Sequence, residues 1–125
     1  TYQNEIVNPV TTNTTDNATT YSAKIGLMYV SDYGFAASPD AWTLTMSSYN
    51  NTTAKNNNWM YMGLYEWTIS RRADYSNFAF SVNGVGSVLS DLVSSYDGVR
   101  ASFSLESSVS YVSGDGTQSN PIRIN

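Results

Sequence analysis

The chain has 125 residues, enough for one domain to bury a core without disulfide or metal staples. Apolar residues supply an ordinary 41%, but charged residues only 13%, about half the usual share, with Ser, Thr, Asn and ten Tyr filling the gap. A net charge of −4 with six Lys and Arg offers no basic face for nucleic acid or an anionic membrane, and a chain with no His and no Cys has no Ser-His-Asp or Cys-His nucleophile, no His-ligated metal and no thiolate chemistry.

Residues 1–22 are Thr- and Asn-rich and read as a leader or linker, with Ile6-Val7 as a first strand that would pair with the C-terminus. Residues 23–125 read as the folded domain. Lys24 to Val30 is apolar at nearly every position, as a central strand is, and Ser31-Asp32-Tyr33-Gly34 reads as a turn. Ser38-Pro39-Asp40 is a helix start, with Ser at the N-cap and Pro at the first helical position, carried on by Ala41, Trp42, Leu44, Thr45 and Met46. Tyr49 to Asn58 reads as a polar, mobile loop. The aromatic run from Trp59 continues into a strand ending at Ser70-Arg71-Arg72.

Beyond Arg72 the period is two. Phe78, Phe80 and Val82 alternate with Ala79 and Ser81, Asn83-Gly84 makes a turn, and Val85, Val88, Leu89, Leu92 and Val93 form a looser second arm. After the turn at Asp97-Gly98, Val99 to Leu105 alternates as a half-buried strand. Val109, Tyr111 and Val112 open a last arm, which Ser113 to Gly116 interrupts and Pro121 to Ile124 resumes. No stretch is long and apolar enough to span a membrane.

Glu66, Asp32, Asp40, Asp74, Asp91 and Asp97 are the carboxylates from which a glycosidase pair would have to come. Their Gly and Ser neighbours fit turn and cap chemistry better, and Gly114-Asp115-Gly116 is explained by a β-turn without calcium. Asn13, Asn17, Asn50 and Asn51 head N-x-[ST] sequons, which a chain this rich in Asn and Thr contains by chance. No catalytic residue, metal ligand or cofactor is expected.

Four segments resemble a known bacterial family: Ala23 to Gly34, Asn57-Asn58-Trp59, Glu66 to Arg71, and Gly98-Val99-Arg100 before an alternating strand. The resemblance covers about residues 23–124, with Ala101 where the family's pattern has Pro. Members of that family occur on the surface proteins of Gram-positive gut bacteria, some on pilin-like stalks. They look like the formylglycine-generating-enzyme branch of the C-type lectin-like fold, which also carries the variable proteins of diversity-generating retroelements. The resemblance implies an α+β domain with short antiparallel strands and one or two short helices; an all-β immunoglobulin-like sandwich is the runner-up. It also implies a secreted or cell-surface location. Without the cysteine pair of the enzymatic branch or the Glu-Pro-Asn loop of the calcium lectins, it implies binding of a protein or glycan on another cell, phage or host surface, as part of a larger surface protein or pilus. In the variable proteins the rewritten Asn-type codons never become Lys, Glu, Gln, Met or Trp, and none of these five occurs here between Trp67 and Glu106.

The expected ligand surface is therefore 72–97, with Arg72, Asp74, Tyr75, Asn77, Phe78, Phe80, Ser87, Leu89, Asp91, Leu92, Tyr96 and Asp97 as contact candidates. Trp59, Trp67, Arg71 and Arg100 are expected in the scaffold, the two Trp as core and the two Arg on backbone carbonyls. Trp42 reads either as core or as a platform for a sugar. A structural pilin or filament head is the alternative, and a carboxylate glycosidase a weaker one.

Overall fold

The computed structural model describes residues 22–72, 75 and 77–125. The expected strand at Ile6-Val7, the sequons at Asn13 and Asn17, and contact candidate Asp74 lie outside the described residues, as does all of the 1–22 leader except Ser22.

The described chain is mixed α and β, with short helices in its first half and small antiparallel sheets. β1 (Gly26–Leu27) pairs with β5 (Ala101–Ser102). The main sheet has the order β2 (Glu66–Arg71), β3 (Phe78–Val82), β4 (Val88–Leu92). β6 (Tyr111–Ser113) and β7 (Arg123–Ile124) form a separate hairpin. This is not the all-β runner-up sandwich, because residues 30–57 carry a succession of short helices.

Several early elements differ from expectation. The apolar run 24–30 yields only the two residues of β1, and then turns into α1 (Val30–Phe35), where a turn was expected. Asp32 explains the change: its carboxylate reaches back to accept the Tyr29 N–H at 2.8 Å, satisfying a donor that a new helix leaves open. The helix start at Ser38-Pro39-Asp40 is present, but it opens a 3₁₀ helix over Pro39–Thr43, followed by a second over Met46–Ser48. The supposed mobile loop 49–58 is mostly α2 (Asn51–Asn57). The Asn50 side chain caps it by accepting from the Thr53 N–H at 2.9 Å, and Ala54 is its buried anchor. A seven-residue helix is marginal alone, so tertiary packing at Ala54 holds it.

The core gathers Met28, Val30, Tyr33, Ala37, Ala41, Tyr49 and Ala54 from this helical half against Val82 and Val88 of the sheet. β3 and β4 are in register from Phe78↔Leu92 to Val82↔Val88, so Phe78, Phe80, Val82, Val88, Ser90 and Leu92 share one face. Its Val82–Val88 end is buried, and Phe80 packs against the core. Of β2, Glu66, Thr68 and Ser70 point inward, and each has a partner. Glu66 meets Arg100, Thr68 Oγ1 donates to the Phe80 carbonyl at 2.8 Å, and Ser70 Oγ accepts the Val30 N–H at 3.0 Å. A polar strand face can be buried here because none of the three is left unpaired.

The loop Asn83–Ser87 locks the two halves together. Tyr33, with 0% exposure, donates from its hydroxyl to the Gly86 carbonyl at 2.9 Å, and Tyr61 donates to the Gly84 carbonyl at 3.0 Å. Ser87 Oγ donates to the Tyr49 carbonyl, while Asn83 Oδ1 accepts the N–H groups of Val85 and Ser87.

Past the main sheet the alternating run 99–105 is strand only at Ala101–Ser102, and Val99, Phe103 and Leu105 are exposed rather than half-buried. The last arm and its resumption are the strands β6 and β7, and they pair with each other; the expected pairing of the C-terminal strand with Ile6-Val7 lies outside the described residues.

Burial pushes the Tyr33 phenol well above its ordinary value of 10.0, and the neighbouring Tyr49, Tyr61 and Glu66 add to the rise, while Arg100 opposes it. A raised native value means that the stability tied to this group is intact below pH 10 and is lost as pH climbs further, because only the unfolded chain then ionises readily. Thermal unfolding followed across pH 8 to 11 should show the melting temperature dropping above about pH 10. Tyr33→Phe should cost about 1 kcal/mol at neutral pH, since it orphans the Gly86 carbonyl, yet flatten the alkaline drop. An unchanged alkaline drop in the variant would contradict this assignment.

Candidate functional site

The expected surface 72–97 is carried by the β3–β4 hairpin and its approaches, and the pleat of the sheet divides it. Phe78, Phe80 and Leu92 stand on the core-facing side, whereas Leu89 and Asp91 are paired with Ser81 and Ala79 on the opposite side. The contact candidates therefore form no single patch.

One cluster does assemble. Arg72 lies just past β2, and its guanidinium carbon sits 4.7 Å from the centre of the Tyr75 ring and 5.7 Å from that of Phe78. The two rings are 5.5 Å apart and tilted by 59°. Arg72 Nη1 also donates to Ser90 Oγ at 3.0 Å, which ties the cation to β4. Backbone bonds fix the frame: Arg72 N–H to the Phe78 carbonyl at 3.2 Å, and Val93 N–H to the Asn77 carbonyl at 3.0 Å. Tyr75 keeps 51% of its surface open, Asn77 is exposed, and Leu92, opposite Phe78, is open as well. A cation stacked on two rings at the edge of a rigid sheet offers a partner large contact area with few rotors left to freeze.

The other candidates sit elsewhere. Phe80 belongs to the core margin, and Ser87 is buried with its hydroxyl on the Tyr49 carbonyl, so neither presents a side chain to a partner. The outer face of the sheet shows exposed Leu89 and Ile69, with half-buried Asp91 accepting the Leu92 N–H at 2.7 Å. Tyr96 is fully exposed beyond β4, and Asp97 is half-buried with Oδ2 enclosed and unpaired.

Of the scaffold residues, Arg100 acts as expected. Its Nη2 donates to the Met60 carbonyl at 2.9 Å and to Glu66 at 2.5 Å, joining the chain beyond β4 to β2 and to the segment before it. Trp67 is half-buried on β2, and Arg71 is exposed at its end. Trp59 overturns its expectation: it is 81% exposed. Its backbone N–H bonds the Ala36 carbonyl at 3.3 Å, which fixes the main chain and leaves the indole outside. The aromatic density around it suggested a core, but the residues between Trp59 and Glu66 form no strand to turn it inward.

Of the candidate carboxylates, Asp74 lies outside the described residues, and three of the others have partners of their own. Glu66 is tied to Arg100, Asp32 to the Tyr29 N–H and Asp91 to the Leu92 N–H. Among the described residues no three His, Cys, Asp or Glu side chains group to hold a metal. Asp115 closes its own turn by accepting from the backbone N–H and hydroxyl of Thr117, bonds that hold its carboxyl below the usual range.

No protein-family model, characterised protein or solved structure matches the chain.

The split of the candidates across two faces can be measured. Phe80→Ala should lower the unfolding free energy in urea by about 2 kcal/mol or more, as loss of a core-margin ring does. Tyr96→Ala should stay within about 0.5 kcal/mol of the parent chain. Equal losses at both positions would show Tyr96 to be packed.

Proposed function

We propose that this chain is an extracellular ligand-binding module of the C-type lectin-like kind, and that the Arg72–Tyr75–Phe78 cluster with its neighbours Asn77 and Leu92 is the centre of its contact surface. The cluster carries the reading: an aromatic pair capped by a guanidinium, fixed to a sheet and open to solvent, has the composition of a protein-contact hot spot. A mixed fold of short helices and small antiparallel sheets suits the C-type lectin-like reading. The absence of Lys, Glu, Gln, Met and Trp between Trp67 and Glu106 suits a segment rewritten between cells. The ligand in this reading is a surface protein, bound without catalysis or metal.

The test is a binding one. Fluorescently labelled chain is applied to a panel of bacterial and host cells, and Tyr75→Ala is compared with the parent on any cell that binds. The variant should keep its melting temperature and lose at least about fivefold in affinity, corresponding to roughly 1 kcal/mol. Undiminished binding by the folded variant would remove the cluster from the contact surface.

A second reading rests on its own observation. Val99, Phe103, Leu105, Tyr111, Ile122 and Ile124 are all exposed in the last third of the chain. They suit a filament or pilus head that packs on a further copy. Sedimentation at increasing concentration decides between the two readings: a monomer throughout excludes self-assembly, and a concentration-dependent oligomer broken by Phe103→Ser supports it.

A further inference from the structure

We propose that a second site, independent of the sheet cluster, lies in the groove between the chain after α1 and the C-terminal end of α2, and that it takes a pyranose unit of a glycan. The groove is shallow and open to solvent, with a volume of about 510 Å³, within the range of small-ligand sites. Its floor is rigid. Ala37 and Asn58 form an antiparallel bridge, the Ser38 N–H meets the Asn57 carbonyl at 2.6 Å, and Ser38 Oγ donates to Asn57 Oδ1 at 3.1 Å. Asn58, buried beneath, donates to the Tyr33 carbonyl at 2.7 Å and accepts the Met60 N–H at 3.0 Å, so the floor hangs on the core tyrosine.

The lining mixes two chemistries. It includes the exposed Trp59 and Phe35; Phe35 is held edge-on against Trp42 at 5.7 Å, and the Trp42 indole N–H is anchored on the Ala37 carbonyl at 3.0 Å. It also includes Lys55 and Asn56, exposed, whose side-chain polar atoms have no partner among the described residues. Flat apolar faces beside an open amide and ammonium match a molecule with an apolar C–H face and a rim of hydroxyls, which is what a pyranose presents. A single cation without a second basic group is too little for a phosphate-rich ligand. No calcium is needed, because hydroxyls can be held by the amide and ammonium directly.

The intact chain is titrated with maltotriose, chitotriose and lactose while saturation transfer from protein to sugar protons is recorded by NMR. At least one sugar should receive saturation at its ring C–H protons. Trp59→Ala should abolish the transfer, Trp59→Tyr should retain it, and Asn56→Ala should weaken affinity by roughly threefold or more. Melting curves establish that each variant is folded; should Trp59→Ala fail to fold, Lys55→Ala and Asn56→Ala in the exposed lining carry the same test. Transfer to none of the three sugars, or transfer that survives Trp59→Ala, overturns the proposal. Tyr75→Ala separates the two sites: it should leave sugar binding intact whether or not the sheet cluster proves to bind protein, and loss of transfer in that variant would also overturn a groove site.

Discussion

The arrangement depends on how closely the Asn83–Ser87 loop approaches the helical half. Gly86 has φ +86°, and a Cβ built there would lie 2.2 Å from the Ala54 Cβ, 3.1 Å from the Tyr33 hydroxyl and 3.1 Å from the Tyr61 ring. Backbone sign and free space therefore both demand glycine. Because there is no side chain at this point, α2 can press Ala54 onto the hairpin and Tyr33 can reach the Gly86 carbonyl. The hairpin that carries the sheet cluster and the helix that helps line the groove are seated against each other at this contact.

The rest of the interior leans on polar bonds to an unusual degree. The core is small, and several of its apolar members are alanines. Buried Glu66, Thr68, Ser70, Asn58, Asn83 and Ser87 fill much of the remaining space. Such groups add only modest net stability when satisfied, but a buried group left unpaired is costly, so each bond selects this one arrangement over slipped alternatives. The Arg100–Glu66 pair is the strictest instance. The Glu66 side chain is 7% exposed, and without the guanidinium it would be a carboxylate buried alone. Arg100 thereby fixes the chain that leaves the main sheet, where the Gly98 N–H also meets the Tyr65 carbonyl at 2.8 Å and its carbonyl accepts the Trp67 N–H at 2.9 Å.

Sequence reasoning was reliable where a period of two met a half-covered sheet. Residues 78–82 are a strand as their alternation implies, the looser arm after the Asn83-Gly84 turn gives the strand 88–92, and the continuation of the aromatic run gives the strand 66–71. It failed where tertiary contact overrode local pattern. The Asn- and Thr-rich stretch 50–58 has poor helix propensity, but the Asn50 cap and the docking of Ala54 make it helical. Residues 99–105 alternate cleanly, yet only two of them find a strand to pair with, so the pattern has no sheet to act on. At the candidate site, the closeness of Arg72, Tyr75 and Phe78 follows from sequence proximity. The separation of Leu89 and Asp91 from Phe78 depended on strand register, which no single stretch encodes. The exposure of Trp59 had a local signal in its Asn-rich approach, but the aromatic run that follows it outweighed that signal.

The β6–β7 hairpin behaves differently from everything before it. Among the described residues, the hydrogen bonds of residues 110–125 run within that segment, from the Ser110–Asn125 pair at its open end to Asp115, Thr117 and Asn120 at its tip. Gly114 closes it in a left-handed conformation, φ +103°, against the Pro121 carbonyl. Tension applied at Asn125 would load the Ser110–Asn125 bonds first and open the ladder one rung at a time, in peeling rather than in shear. The hairpin would thus lengthen before the clasp at Gly86 gave way, and its ladder would re-form when the pull relaxed.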